Sequence, residues 1–124
     1  MIKFDNVTAT YKKNIGIFNI SFEVKPGELV FIMGPTGAGK STILKTIYKD
    51  LQLDSGKIFL NNKDISLSSS NLSISSTRNE IGMIFQDFKL LNDRNVYDNV
   101  ALPLRIAGIS NKNIKRMVRD ALNK

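Results

Sequence analysis

Residues 29–33, Leu-Val-Phe-Ile-Met, form an unbroken apolar run that leads directly into Gly34, Pro35, Thr36, Gly37, Ala38, Gly39, Lys40 and Ser41. Those eight residues satisfy the pattern G-x-x-x-x-G-K-[ST] without a gap. Few local patterns restrict a fold as much. The apolar run reads as a strand buried on both faces. From Lys40 to about Asp50 the spacing of Ile43, Leu44 and Ile47 places one apolar face on a helix. The glycines between strand and helix let successive backbone N–H groups converge on one point, where the helix N-terminus adds partial positive charge. Such a cradle holds phosphate oxygens. Lys40 is placed to reach the β- and γ-phosphates of a nucleoside triphosphate, and the Ser41 hydroxyl to coordinate Mg²⁺. Thr42 offers a second hydroxyl nearer the α-phosphate. Strand, loop and helix in this order predict an α/β fold of the P-loop NTPase type. The motif does not choose the reaction, because kinases, GTPases and transport ATPases share it.

The remaining chain supplies further elements. Residues 2–11 and 15–24 read as strands: Ile2, Phe4 and then Val7 recur on the first, and Ile20, Phe22 and Val24 alternate on the second. Lys25-Pro26-Gly27-Glu28 is a turn, with proline fixing φ and glycine free to reverse it. Asp54-Ser55-Gly56 turns the chain into a short strand over residues 57–60, and Asn61-Asn62 turns it back toward Ile65. Residues 66–76 hold seven serines, with only Leu67, Leu72 and Ile74 apolar, which predicts a loop or a poor helix. Residues 80–85 read as another apolar strand that ends at Gln86. Asn95 is placed as the N-cap of a helix from Val96, with Asp98 in its first turn. Pro103 should kink or end that helix, and Gly108 mark its finish. After Ser110, Ile114, Met117, Val118, Ala121 and Leu122 trace the stripe of a last amphipathic helix. No internal repeat and no linker between domains is visible.

Composition narrows the function classes. No apolar run approaches the roughly 20 residues that span a bilayer, and the start Met-Ile-Lys-Phe-Asp lacks the apolar stretch of a secretory leader. With no cysteine and no histidine, there is no thiol nucleophile, disulfide framework or Cys/His metal site. The formal charge of +7 points to anionic partners. Part of that excess lies in residues 110–124, where Lys112, Lys115, Arg116, Arg119 and Lys124 face only Asp120. A solvated helix face or a dedicated binding patch would account for these cations, the solvated face being the simpler reading. No basic block is interleaved with aromatics, so nucleic acid is not an expected partner.

Tyr11 lies in the strand-rich stretch before the phosphate loop, and Gln86 ends an apolar strand after it. With the loop between them, this layout resembles the nucleotide-binding domain of the ABC ATPases. The resemblance implies that Tyr11 stacks on the adenine and that Gln86 is the Q-loop glutamine. Both roles are physically sound. A tyrosine ring offers a π-face to a base without reading its edge. A glutamine carbonyl can coordinate Mg²⁺ or orient the attacking water, which gives Gln86 a catalytic role as well as a metal one.

Residues 81–87, Ile-Gly-Met-Ile-Phe-Gln-Asp, resemble the FtsE family of bacterial cell-division ATPases more narrowly. So do residues 1–7 and 104–110, and above all Asp93, Arg94, Val96, Tyr97, Asp98, Asn99 and Val100. The serine-rich run departs from the family, which is more basic and helix-prone there. The resemblance implies that residues 1–124 are the N-terminal half of an ABC ATP-binding domain. That half would comprise an antiparallel β subdomain, the Walker A loop, the Q-loop and the start of the helical subdomain, with an incomplete core sheet around residues 29–33. It implies ATP and Mg²⁺ as cofactors and a homodimer in the full-length protein. It also implies an FtsX-like integral membrane subunit as partner, and a peripheral position on the cytoplasmic face of the inner membrane. Phe88, Leu90, Leu91 and Tyr97 would then offer the surface toward that subunit.

Three alternatives remain open at this stage: the ATPase of a lipoprotein-release or macrolide-export transporter, a guanylate-kinase-like kinase, and a non-catalytic module that docks when it binds nucleotide. An ABC ATPase also needs a Walker B strand ending in Asp-Glu, a Leu-Ser-Gly-Gly signature and a switch histidine. None occurs in residues 1–124, so the chain by itself is expected to bind ATP without hydrolysing it.

Overall fold

The computed structural model describes residues 1–66 and 71–124. The chain divides into two compact units, Met1–Met83 and Ile84–Lys124. The first holds β1 (Ile2–Lys12), β2 (Ile15–Val24), α1 (Lys40–Ile47), β3 (Ser55–Leu60), β4 (Lys63–Asp64) and α2 (Asn71–Asn79). The strands form one antiparallel sheet in the order β2-β1-β3-β4.

Its turns follow the side chains. Asn61 and Asn62 both take left-handed backbone, φ 48° and 66°, as a two-residue hairpin turn requires. Ile2 and Phe4 keep a period of two, but the next apolar residue is Val7, one position late for the same face. The strand absorbs the extra residue: β1 slips register against both neighbours there. Asn6 takes φ 48°, and its N–H donates to Ser21 Oγ at 2.8 Å. This β-bulge lets Phe4, Val7 and Ala9 all reach the core. They join Ile17, Ile43, Ile58, Leu60 and Ile65. Phe4 and Phe22 stand opposite in register with ring centroids 4.5 Å apart.

Other expectations need correction. Residues 29–33 and 81–85 form no strand. Phe31 is 75% exposed and Ile84 94%. Extended backbone becomes a strand only where a neighbour offers its own N–H and C=O groups, and among the described residues nothing pairs with either run. Helix α1 stops at Ile47, with Lys49 at φ 59° just beyond. It turns Thr42, Ile43 and Thr46 inward while Leu44 faces out. Strand β3 begins at Ser55, two residues earlier than its side chains imply. The serine-rich run is helical over α2, where Thr77 is buried; its residues 67–70 lie outside the described residues.

The second unit contains α3 (Val96–Ile106) and α4 (Asn111–Leu122). Asn95 caps α3 as expected, its Oδ1 accepting the Asp98 N–H at 2.8 Å. Pro103 does not end the helix. Its ring removes one amide, but its carbonyl still accepts the Ala107 N–H at 3.0 Å, and Arg105 pairs with Asp98 at 2.9 Å across the same stretch. Gly108, at φ 73°, closes the segment. Ala101, Ile114 and Val118 form the core, with Tyr97, Val100, Leu104 and Ile109 packed against it. Met117 and Leu122 of the apolar stripe stay exposed. Among the described residues, no helix is long and apolar enough to cross a membrane.

Candidate nucleotide-binding site

The phosphate loop leaves residues 29–33 and enters α1 through Gly39, which has φ 91° and serves as its N-cap. Only glycine suits this point. A Cβ there would lie 2.6 Å from Ile17 Cγ2, and the backbone is left-handed besides. This close approach seats the first turn of α1 on the buried Ile17 of β2. Gly37, at φ 85°, reverses the chain two residues earlier, and the Ala38 N–H donates to Pro35 O at 3.2 Å. No side chain caps α1, so its first-turn amides face the loop as donors.

Lys40 Nζ donates to the carbonyl oxygens of Gly34 and Pro35, each at 2.8 Å. The ammonium is thus held over the loop, on acceptors that a phosphate can replace. Ser41 is exposed beside it and Thr42 is buried. Backbone donors, a helix N-terminus, one lysine and one exposed hydroxyl are the donor set that a Mg²⁺–triphosphate requires, so the residues present fit ATP.

Tyr11 stands near the end of β1 with 46% of its surface exposed. Lys45 of α1 places Nζ 5.2 Å from its ring centroid, so the fold brings Tyr11 and the phosphate-loop helix together.

Gln86 belongs to the second unit, where it is exposed at the head of a turn over residues 86–89. Phe88 and Lys89 take left-handed backbone, φ 55° and 49°. The Phe88 N–H donates to Phe85 O at 3.1 Å, and the Lys89 N–H to Asp87 O at 2.6 Å. Lys89 Nζ sits 2.7 Å from the Asp87 carboxylate, and its hydrogen bond holds that carboxyl below the ordinary range. The turn projects Phe88, which is 75% exposed. Tyr97, by contrast, packs against the α3–α4 core.

Sequence reading passed over two side chains that organise these segments. Asn99 Oδ1 accepts the Leu91 N–H at 2.8 Å, while Nδ2 donates to the carbonyls of Leu91, Arg94 and Asn95 at 3.1, 3.2 and 3.0 Å. One amide therefore ties the loop after the turn at residues 86–89 to α3. Arg78 of α2 donates through Nε to Tyr48 O at 3.0 Å and through Nη2 to Lys49 O at 3.3 Å. It also pairs with the Asp50 carboxylate. Arg78 carries no motif, Asn99 belongs to the FtsE-like run without a role that the run explains, and both act on carbonyls that only the folded chain places within reach.

The ABC transporter family profile matches residues 17–124. The chain belongs to that family. It is 45% identical to the cell division ATP-binding protein FtsE of Escherichia coli K12, covering 100% of this chain and 56% of that one. It is 39% identical to FtsE of Bacillus subtilis, over 99% of this chain and 54% of the other. The methionine import ATP-binding protein MetN of Francisella tularensis shares 38% identity over 99% of the chain and 36% of its own length. Among solved structures, a dimeric post-hydrolysis state of the ATP-binding cassette MJ0796 bound to ADP and Pi superposes with TM-score 0.86 at 30% identity. That match covers 99% of this chain and 56% of the other. The chain thus spans about half the length of the FtsE relatives it matches.

Proposed function

We propose that residues 1–124 form the N-terminal, phosphate-gripping half of the ATP-binding domain in an FtsE-like ATPase subunit of a bacterial cell-division complex. The observation that carries the reading is 45% identity to E. coli FtsE along the whole chain, together with a phosphate cradle whose geometry fits ATP. Identity to the import protein MetN is lower, at 38%.

In the cradle, backbone N–H groups and Lys40 hold the phosphates; Lys40 gives up its two carbonyl acceptors for phosphate oxygens. Tyr11 would stack on the adenine and the Ser41 hydroxyl would hold Mg²⁺; for Gln86 the FtsE-like sequence around it supports the Q-loop role. When bound, Mg²⁺ would neutralise phosphate charge. Gln86 also orients the attacking water. The full-length protein hydrolyses ATP as a homodimer, peripherally bound at the cytoplasmic face of the inner membrane to an FtsX-like integral subunit.

The exposed turn at Phe88 is the docking feature, an apolar anchor in a segment bracketed in sequence by Asp87, Lys89, Asp93 and Arg94. In the full-length protein, Phe88→Ala is expected to abolish co-purification with the membrane subunit while leaving melting temperature and ATP affinity unchanged. Tyr97→Ala is expected to lower the melting temperature, because Tyr97 packs on the helical core. Retained co-purification in Phe88→Ala, or early melting with loss of nucleotide, would sink the docking reading.

A further inference from the structure

Helix α1 has eight residues and is therefore about 12 Å long. A rod that short orients its first turn only if both ends are fixed. Its N-terminal end is seated through Gly39 against Ile17. Its C-terminal end presents carbonyls that no helical amide can satisfy. There Tyr48 closes the helix and Lys49 takes φ 59°, so the carbonyls of both turn toward α2.

Arg78 meets them. Its guanidinium forks onto Tyr48 O and Lys49 O, lies 4.6 Å over the Tyr48 ring and pairs with Asp50. The cation also opposes the partial negative charge of the helix end. We propose that Arg78 is a positioning residue for nucleotide binding. By clamping the far end of α1 it sets the angle at which the first-turn amides and Lys40 meet the phosphates. It touches no phosphate itself. Thr46 and Ile47 still pack that end on the core, but without the clamp packing alone sets its angle, and errors of about 1 Å at a binding centre are costly.

This inference rests on the nucleotide-binding reading, and the experiment separates the two. Binding of Mg²⁺–ATP to the full-length protein is measured by calorimetry, alongside melting temperature, for Arg78→Ala, Arg78→Lys, Asp50→Asn, Ile65→Val and Lys40→Ala. Arg78→Ala should weaken binding by roughly fivefold or more, the lower bound for coupling between separate sites. Arg78→Lys should fail to rescue it, since an ammonium cannot fork two carbonyls while stacking on a ring. Asp50→Asn should bind nearly as wild type, because an exposed ion pair contributes little. Ile65→Val, a core substitution remote in sequence from the loop, should lose melting temperature without losing affinity. Wild-type affinity in Arg78→Ala overturns the proposal, as does equal loss in Asp50→Asn, or in Ile65→Val at a matched melting temperature. Wild-type binding in Lys40→Ala would overturn the nucleotide-binding reading itself.

Discussion

Strand β1 carries Phe4, Val7 and Ala9 into a buried core, whereas residues 29–33, more apolar still, leave Phe31 75% exposed. The two segments differ in where their partners lie. β1 alternates, needs one covered face, and finds β2 and β3 within the same chain on its two edges. Residues 29–33 have no polar face, and no described strand pairs with them. Hydrophobicity alone therefore does not make a strand; a backbone ladder on at least one edge does. The phosphate loop lies between the two regimes. It is seated on the completed sheet through Gly39 and led into by a run that no ladder holds.

The largest effect expected from this contrast is catalytic. On the proposed reading residues 1–124 supply the phosphate-gripping side of the site and no Walker B acidic pair, so these 124 residues alone should release no phosphate above background. Steady turnover that Lys40→Ala abolishes would contradict this. In stability, the contrast predicts about 3–5 kcal/mol lost in Phe4→Ala, as for a buried aromatic. Phe31→Ala should change stability by about 0.5 kcal/mol at most, as at an exposed site. Denaturant titration of both variants decides it, and similar losses would show that residues 29–33 are packed after all.

Next comes Tyr11, at the exposed end of the paired region. Tyr11→Ala should weaken ATP binding to the full-length protein by about 1–3 kcal/mol, the range for aromatic–base stacking. An unchanged dissociation constant would make Tyr11 a partner of Lys45 alone.

The smallest effect belongs to Asp64 on β4, whose carboxylate accepts the Ser66 N–H at 2.8 Å. The Ser66 hydrogen bonds hold its pKa below the ordinary 3.8. A carboxyl depressed in the folded state stabilises the fold above its unfolded pKa, and that contribution disappears as pH falls through the folded value. Asp64→Asn should therefore cost a few tenths of a kcal/mol at neutral pH, given its exposure, and nothing at strongly acid pH. A pH-independent difference would remove the titration argument.

Much of this was legible in the residues because it depends on neighbours close in sequence. The alternation of β2, the Asn61-Asn62 turn, the glycines and Lys40 of the loop, the Asn95 cap and the Gly108 stop are all local chemistry. The reading failed where distant groups decide the outcome. Residues 29–33 and 81–85 have strand composition without a strand to pair with. Pro103 is tolerated inside α3, where capping and the Arg105–Asp98 pair support the helix. Leu44 faces outward because Thr42, Ile43 and Thr46 meet the core instead. Arg78 and Asn99 bind backbone carbonyls, which every residue possesses, so no pattern announces these contacts.

The strand order also fixes a sequence of events during folding. β1 meets β2 across a tight turn, a contact the chain can make within microseconds. It meets β3 only when Thr8 finds Ser55, and the entire phosphate loop with α1 lies in the intervening segment. Closing that long loop is entropically costly and slow. The cradle is therefore expected to take shape after the hairpin, on the β2 surface that the hairpin provides.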